Sequence, residues 1–130
     1  MSAIRPNAAA FQELVASKDE GPVVMLNLLK FKERADSGDV SGRESYNRYG
    51  RDVKPMVEAL GGRIIWHGSA DQLLIGQEDW DAVALVEYPS RKAFMEMAMS
   101  KQMEDIHHNR EAGLERTVLI ACSKLGGTEV

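Results

Sequence analysis

Apolar residues fall into distinct periodic patterns along this chain, and each pattern predicts a different element. Val23-Val24-Met25-Leu26-Asn27-Leu28-Leu29, inside the stretch 21–32, is apolar at both parities, so it reads as a strand covered on both faces. Asn27 is the one polar side chain within that run and needs partners in a dry place. Residues 82–88 repeat the pattern up to Glu87 and are closed by Pro89, and residues 117–122 repeat it again. Residues 63–68 form a further strand, in which Trp66 and His67 point to opposite faces because neighbours alternate. Residues 71–76 either continue that strand past a bulge at Ser69-Ala70 or make a short ribbon of their own.

Steps of three and four mark the helices. Tyr46, Tyr49, Val53, Met56, Val57 and Leu60 form one stripe on a long helix. Ser41 and Glu44 have capping-box spacing at its start, and Gly61-Gly62 stops it. Pro55 lies inside and predicts a kink near residues 52–54. A shorter helix over 8–17, capped by Asn7, carries Ala8, Phe11, Leu14 and Val15 on one side. Ser90 caps a helix from 91 to at least 100, and another segment covers 102–112. The polar stretch 33–42 is a long loop ahead of the main helix, placed to serve as a lid.

The resulting order is strand, helix, two strands, helices, strand. Right-handed crossovers make each half a split β-α-β unit. The expected fold is α+β: a ferredoxin-like βαββαβ protomer with an extra N-terminal helix and a four-stranded antiparallel sheet carrying helices on one face. One domain spans 1–130, with the N-terminal helix in 1–20, the core in 21–123 and a tail in 124–130. Helices cover one side of such a sheet, yet three strands are apolar on both. A second copy is the simplest cover for the other side, which predicts a homodimer through the sheet face opposite the helices.

Composition narrows the partners. Among 130 residues, 44% are hydrophobic and 28% charged, with a net charge of −4, as expected of a soluble globular domain. Arg43, Arg48, Arg51 and Lys54 are interleaved with Glu44, Asp52 and Glu58, so no nucleic-acid surface is expected. No run approaches the length of a membrane span, and no membrane partner is expected. A single cysteine, Cys122, excludes an internal disulfide and a thiolate metal cluster, and favours a cytoplasmic location.

Candidate chemistry is sparse. No nucleophile elbow, phosphate loop, dinucleotide fingerprint or zinc spacing occurs. Glu104, His107 and His108 include a Glu-x-x-His, but a di-iron site needs carboxylates from other helices, so no metal and no cofactor is expected. His67 is the candidate proton-transfer group, against the plainer reading of a histidine hydrogen-bonded on a sheet. Asn27 can donate to an oxyanion or pin a neighbouring backbone group. Glu87 is a buried base or an ion-pair partner of Arg116 or Arg110. Tyr46 and Tyr49 either pack as core or rim a cavity, with the methionines from 95 to 103 as soft lining. Together these residues outline a ligand pocket on the helix side, bounded by Asn27, Tyr46, Tyr49, one of Trp66 and His67, Trp80 and Glu87.

Several of these segments form a familiar set. Asn27-Leu28-Leu29-Lys30-Phe31-Lys32, the strand Gly61-Gly62-Arg63-Ile64-Ile65-Trp66-His67-Gly68, Trp80-Asp81, Val86-Glu87-Tyr88-Pro89-Ser90 with Phe94, and Arg110 together resemble the domain-of-unknown-function 1330 family over roughly 22–122. The resemblance implies a dimeric α+β barrel, whose relatives include cofactor-independent monooxygenases, isomerases, cyclases and haem enzymes. One departure stands out: Ser100-Lys101-Gln102-Met103 occupies the place where members commonly carry Ser-x-x-Tyr. Two functions follow as expectations. One is a cofactor-independent enzyme, monooxygenase- or isomerase-like, acting on a small apolar or aromatic molecule. The alternative is a non-catalytic homodimeric module that binds a small ligand or serves a structural role.

Overall fold

The computed structural model describes residues 7–128 and 130. Its elements are α1 (Ala8–Ala16), β1 (Val23–Phe31), α2 (Gly42–Ala59), β2 (Arg63–Ser69), β3 (Ala82–Tyr88), α3 (Arg91–Ala98), α4 (Lys101–Gly113) and β4 (Leu114–Cys122). The four strands pair antiparallel in the order β2-β3-β1-β4, the ferredoxin-like arrangement, with β1 inside and β2 and β4 at the edges.

Cross-strand pairs share a face, so the register sorts every strand residue. Val23, Met25 and Leu29 of β1 and Tyr88 of β3 are buried, and all but Leu29 join Val57, Phe94, Met95 and Met97 from the helices in one core. The opposite parity holds Val24, Leu26 and Leu28, paired with Glu87, Leu85 and Val83 on one side and with Cys122, Ile120 and Val118 on the other. Among the described residues no helix packs on this second face, and its apolar side chains stay partly exposed. Phe11 and Leu14 of α1 add to the helix-side core, and Asp19 beyond it pairs with Arg91 at 3.2 Å.

Serines set the helix starts. Ser41, Ser90 and Ser100 each accept from the amide three residues on, at 3.1, 3.0 and 3.1 Å. Gly61, at φ 83°, takes the left-handed conformation that ends α2. α2 stays helical across Pro55.

Three expectations about elements need correction. Residues 71–76 are not strand. The chain from 70 to 81 is a loop closed at its base by Ala70 N–H donating to Asp81 C=O at 3.0 Å, which leaves its apolar run with no neighbouring strand to pair with. The irregularity in β2 lies between Ile64 and Trp66, not at Ser69-Ala70. β4 starts at Leu114, and Glu115 is the extra residue of a bulge opposite Lys30 and Phe31, so two charged residues disguise the strand's first turn. The 33–42 stretch is tied down rather than free: Ala35 is buried, and Asp36 N–H donates to Ala112 C=O at 3.1 Å.

Candidate functional site

The site begins with two glycines. Where the start of α2 meets the end of α4, a Cβ on Gly42 would run into the backbone of Lys32 and Gly113, and one on Gly113 into the backbone of Gly42. Backbone bonds seal the junction: Lys32 N–H donates to Gly113 C=O at 2.8 Å, and Gly42 N–H to Lys32 C=O at 3.1 Å. One residue further in, the buried Ser45 hydroxyl donates to Asn109 C=O at 2.7 Å. This close approach sets the next residues of each helix, Tyr46 and Arg110, against one another, and the guanidinium hydrogen-bonds the phenol.

The Tyr46 ring lies between two aromatic neighbours, with centroids 5.5 Å from Phe31 of β1 and 5.5 Å from Tyr49 one turn along α2. Arg43 covers Phe31, its guanidinium carbon 4.7 Å from the ring centre. Tyr88 enters from β3, packed edge-on against Phe94 at 5.1 Å. All three tyrosines of the chain therefore share one region between sheet and helices and feel one another electrostatically.

Burial pushes the Tyr46 phenol up to about 12, against the opposing pull of the Arg110 charge. Burial also raises Tyr49, again opposed by Arg110. Tyr88 is raised by burial first and then by its two phenolic neighbours. At neutral pH these groups are O–H donors beside a permanent cation. Such a set can hold a carbonyl oxygen or an oxyanion. It contains no group suited to take a proton. Tyr46, Tyr49 and Arg110 are half-buried, while Tyr88 is buried in the helix-side core beside Phe94.

The residues expected to bound one pocket are divided by the sheet. Asn27, Tyr46 and Tyr49 lie on the helix side. The Asn27 amide donates to Met25 C=O at 3.2 Å and Ala84 C=O at 3.4 Å, the pinning role. Trp66 pairs with Leu85 and so occupies the open face, where its indole lies over Gly68, 2.7 Å from where a Cβ would stand. Glu87 is also on the open face, held by Arg63 at 3.2 Å rather than by Arg116 or Arg110. Trp80 is in the 70–81 loop, under the Arg116 guanidinium at 4.6 Å. His67 is exposed on edge strand β2, on the helix side, in the cross-strand row Leu119, Asn27, Ala84, His67. Two strand spacings put it about 10 Å from Asn27.

The helical His107 is paired with Glu111, Nδ1 to Oε1 at 2.9 Å. Among the described residues no group of three or more His, Cys, Asp or Glu is arranged to hold a metal ion, and no helix is long and apolar enough to cross a membrane.

Sequence reasoning missed Tyr88 and Arg110 as members of the site. The signal for Tyr88 is its parity with Val86 and Ala84, opposite to that of Glu87. For Arg110 the signal is weaker, since only the glycine crossing brings α4 against α2.

Comparison with known proteins adds kinship. Residues 35–123 match the family described as domain of unknown function (DUF1330). No curated protein matches the chain. Among solved structures, the RPA0582 protein of unknown function from Rhodopseudomonas palustris is 38% identical, with 98% of this chain and 100% of that one covered and a TM-score of 0.91. A dabb family protein with a ferredoxin-like fold from Mesorhizobium loti is 16% identical over 82% of this chain and 100% of that one, with a TM-score of 0.54. A Caulobacter crescentus protein provisionally assigned as an antibiotic biosynthesis monooxygenase is 10% identical, covering 82% and 92% of the two chains with a TM-score of 0.53. The last two share the fold alone. With two thirds of its length matched by the family and a 38% identical relative along nearly all of it, this chain belongs to the DUF1330 family.

Proposed function

We propose that this protein works as a homodimer, its open sheet faces packed together, and that each protomer binds a small apolar or aromatic molecule through an oxygen held by the phenol–guanidinium cluster. The observation that carries the ligand reading is the convergence of Tyr46, Tyr49 and Arg110 beside the aromatic wall of Phe31. Phenol and guanidinium donors next to apolar rings recognise an acceptor oxygen on an apolar body. Binding is favoured over catalysis because phenols with raised pKa values and a guanidinium do not accept protons near neutrality.

Titration with 1-naphthoate, followed by the tyrosine ring resonances, tests this. Saturable shifts are expected in the Tyr46 and Tyr49 signals, and Tyr46→Phe should weaken binding about tenfold, the loss of one charge-assisted hydrogen bond. Unmoved tyrosine signals at millimolar probe would overturn the reading. A second, catalytic reading has one observation in its favour: His67 shares the face and cross-strand row of Asn27. It requires that a bound molecule be turned over and that His67→Gln abolish turnover without weakening binding.

A further inference from the structure

The loop between β2 and β3 is exposed at its tip and anchored at its base. Leu74 and Ile75 are 83% and 94% exposed, with Leu73 beside them also in solvent. Yet the base is held by charge-assisted contacts to two open-face residues. Lys30 Nζ meets Asp79 at 2.7 Å and Asp81 at 3.4 Å, and Arg116 meets Glu78 at 3.2 Å and Asp79 at 2.7 Å while covering Trp80. Backbone ties complete the anchor: Asp81 N–H donates to Leu29 C=O, and Phe31 N–H to the Asp81 carboxylate, each at 2.8 Å.

Lys30 and Arg116 are cross-strand partners of the same parity as Leu28 and Val118, so their side chains rise from the open face. The acidic segment 78–79 that they grip therefore lies over one end of that face. A body covering the rest of the face meets this loop. We infer that residues 73–75 form an apolar arm that packs against a second copy of the chain.

The inference rests on the dimer reading above and adds a contact outside the sheet. Continuity selects the occupant. The arm's base is tied to Lys30 and Arg116 of the open face, and a second copy covering that face offers an apolar surface continuous with the arm. Twofold symmetry makes the contact twice per dimer, so each substitution counts doubly.

The experiment is sedimentation over a concentration series with the wild type and the L74S/I75S double variant, both checked for folding by circular dichroism. The wild type should be dimeric at micromolar concentration, and the variant folded with dimer dissociation raised by about ten- to a hundredfold. A dimeric wild type with unchanged dissociation in the variant overturns the arm while leaving the sheet interface standing. A wild type monomeric at tens of micromolar overturns both. Cosedimentation of the wild type, but not the variant, with vesicles of phosphatidylcholine and phosphatidylserine would assign the arm to a membrane and overturn the inference.

Discussion

Tyrosine carries most of the residue-scale chemistry. A phenol is small enough to bury and polar enough to need a partner, and here two of them share one guanidinium's field. Unfolded phenols ionise near pH 10, so the native protein should show little tyrosinate at a pH where the urea-unfolded chain is about half ionised. Absorbance at 295 nm in the two states measures this directly. Because the folded values are raised, the contribution to stability is whole below about pH 10 and is lost as pH climbs toward 12 and beyond. Denaturant midpoints should therefore be flat through neutrality and fall steeply in strong alkali. Asn27 shows how much a single letter discloses. One amide in an apolar strand announces a hydrogen-bonding need, but the carbonyls that meet it belong to Met25 and, across the sheet, Ala84. Nothing local says whether the amide faces a ligand or a backbone.

Elements were legible where a single period ruled. β1 and β3 are apolar at both parities for most of their length, and α2 keeps its stripe from Tyr46 to Leu60, so their placement follows from continuous apolarity and the 3.6 repeat. Legibility failed where charge or loneliness broke the rule: Glu115 and Arg116 hide the start of β4, and the apolar 71–76 run mimics a strand with no neighbour to pair with. Helix crossings are invisible to both periods. Gly42 and Gly113 read as ordinary helix ends, yet they allow α2 and α4 to touch backbone to backbone. Gly113→Ala tests this contact. Alanine ordinarily strengthens a helix by about 1 kcal/mol over glycine, but here its methyl group meets backbone that cannot rotate away. A net loss of about 1–3 kcal/mol is expected, seen as a melting temperature lower by roughly 5–10 °C. An unchanged or higher melting temperature would mean that the two helices can separate at little cost.

At the scale of the molecule, the sheet divides one surface from another and thereby decides what can share a site. The sequence places Trp66 and Glu87 in a list with Asn27 and the tyrosines, but the sheet sets them on its two sides. Parity alone says which residues oppose one another, and not which side the helices take. The tyrosine cluster was half readable, through Tyr46 and Tyr49 on one stripe; Arg110 and Tyr88 arrive from distant elements. The apolar open face leads to the assembly prediction. Leu26 is central there, between Leu85 and Ile120. Leu26→Lys should leave the helix-side core untouched, and yield either a folded monomer by light scattering or an insoluble chain. A soluble dimer of unchanged size would show that the face is covered in some other way.

The pairing of β1 has a consequence for how the chain comes off the ribosome. Its two neighbours, β3 and β4, are formed by residues 82–88 and 114–122, so the innermost strand is made long before either partner. At typical synthesis rates it waits on the order of seconds to tens of seconds with both edges unpaired and both faces apolar. Local structure cannot relieve it, because the helices close in sequence, α1 and α2, both pack on the same face. Folding must then be a late, concerted event dominated by non-local contacts, and the nascent segment Val23–Phe31 is the natural client of a chaperone that binds extended apolar peptide.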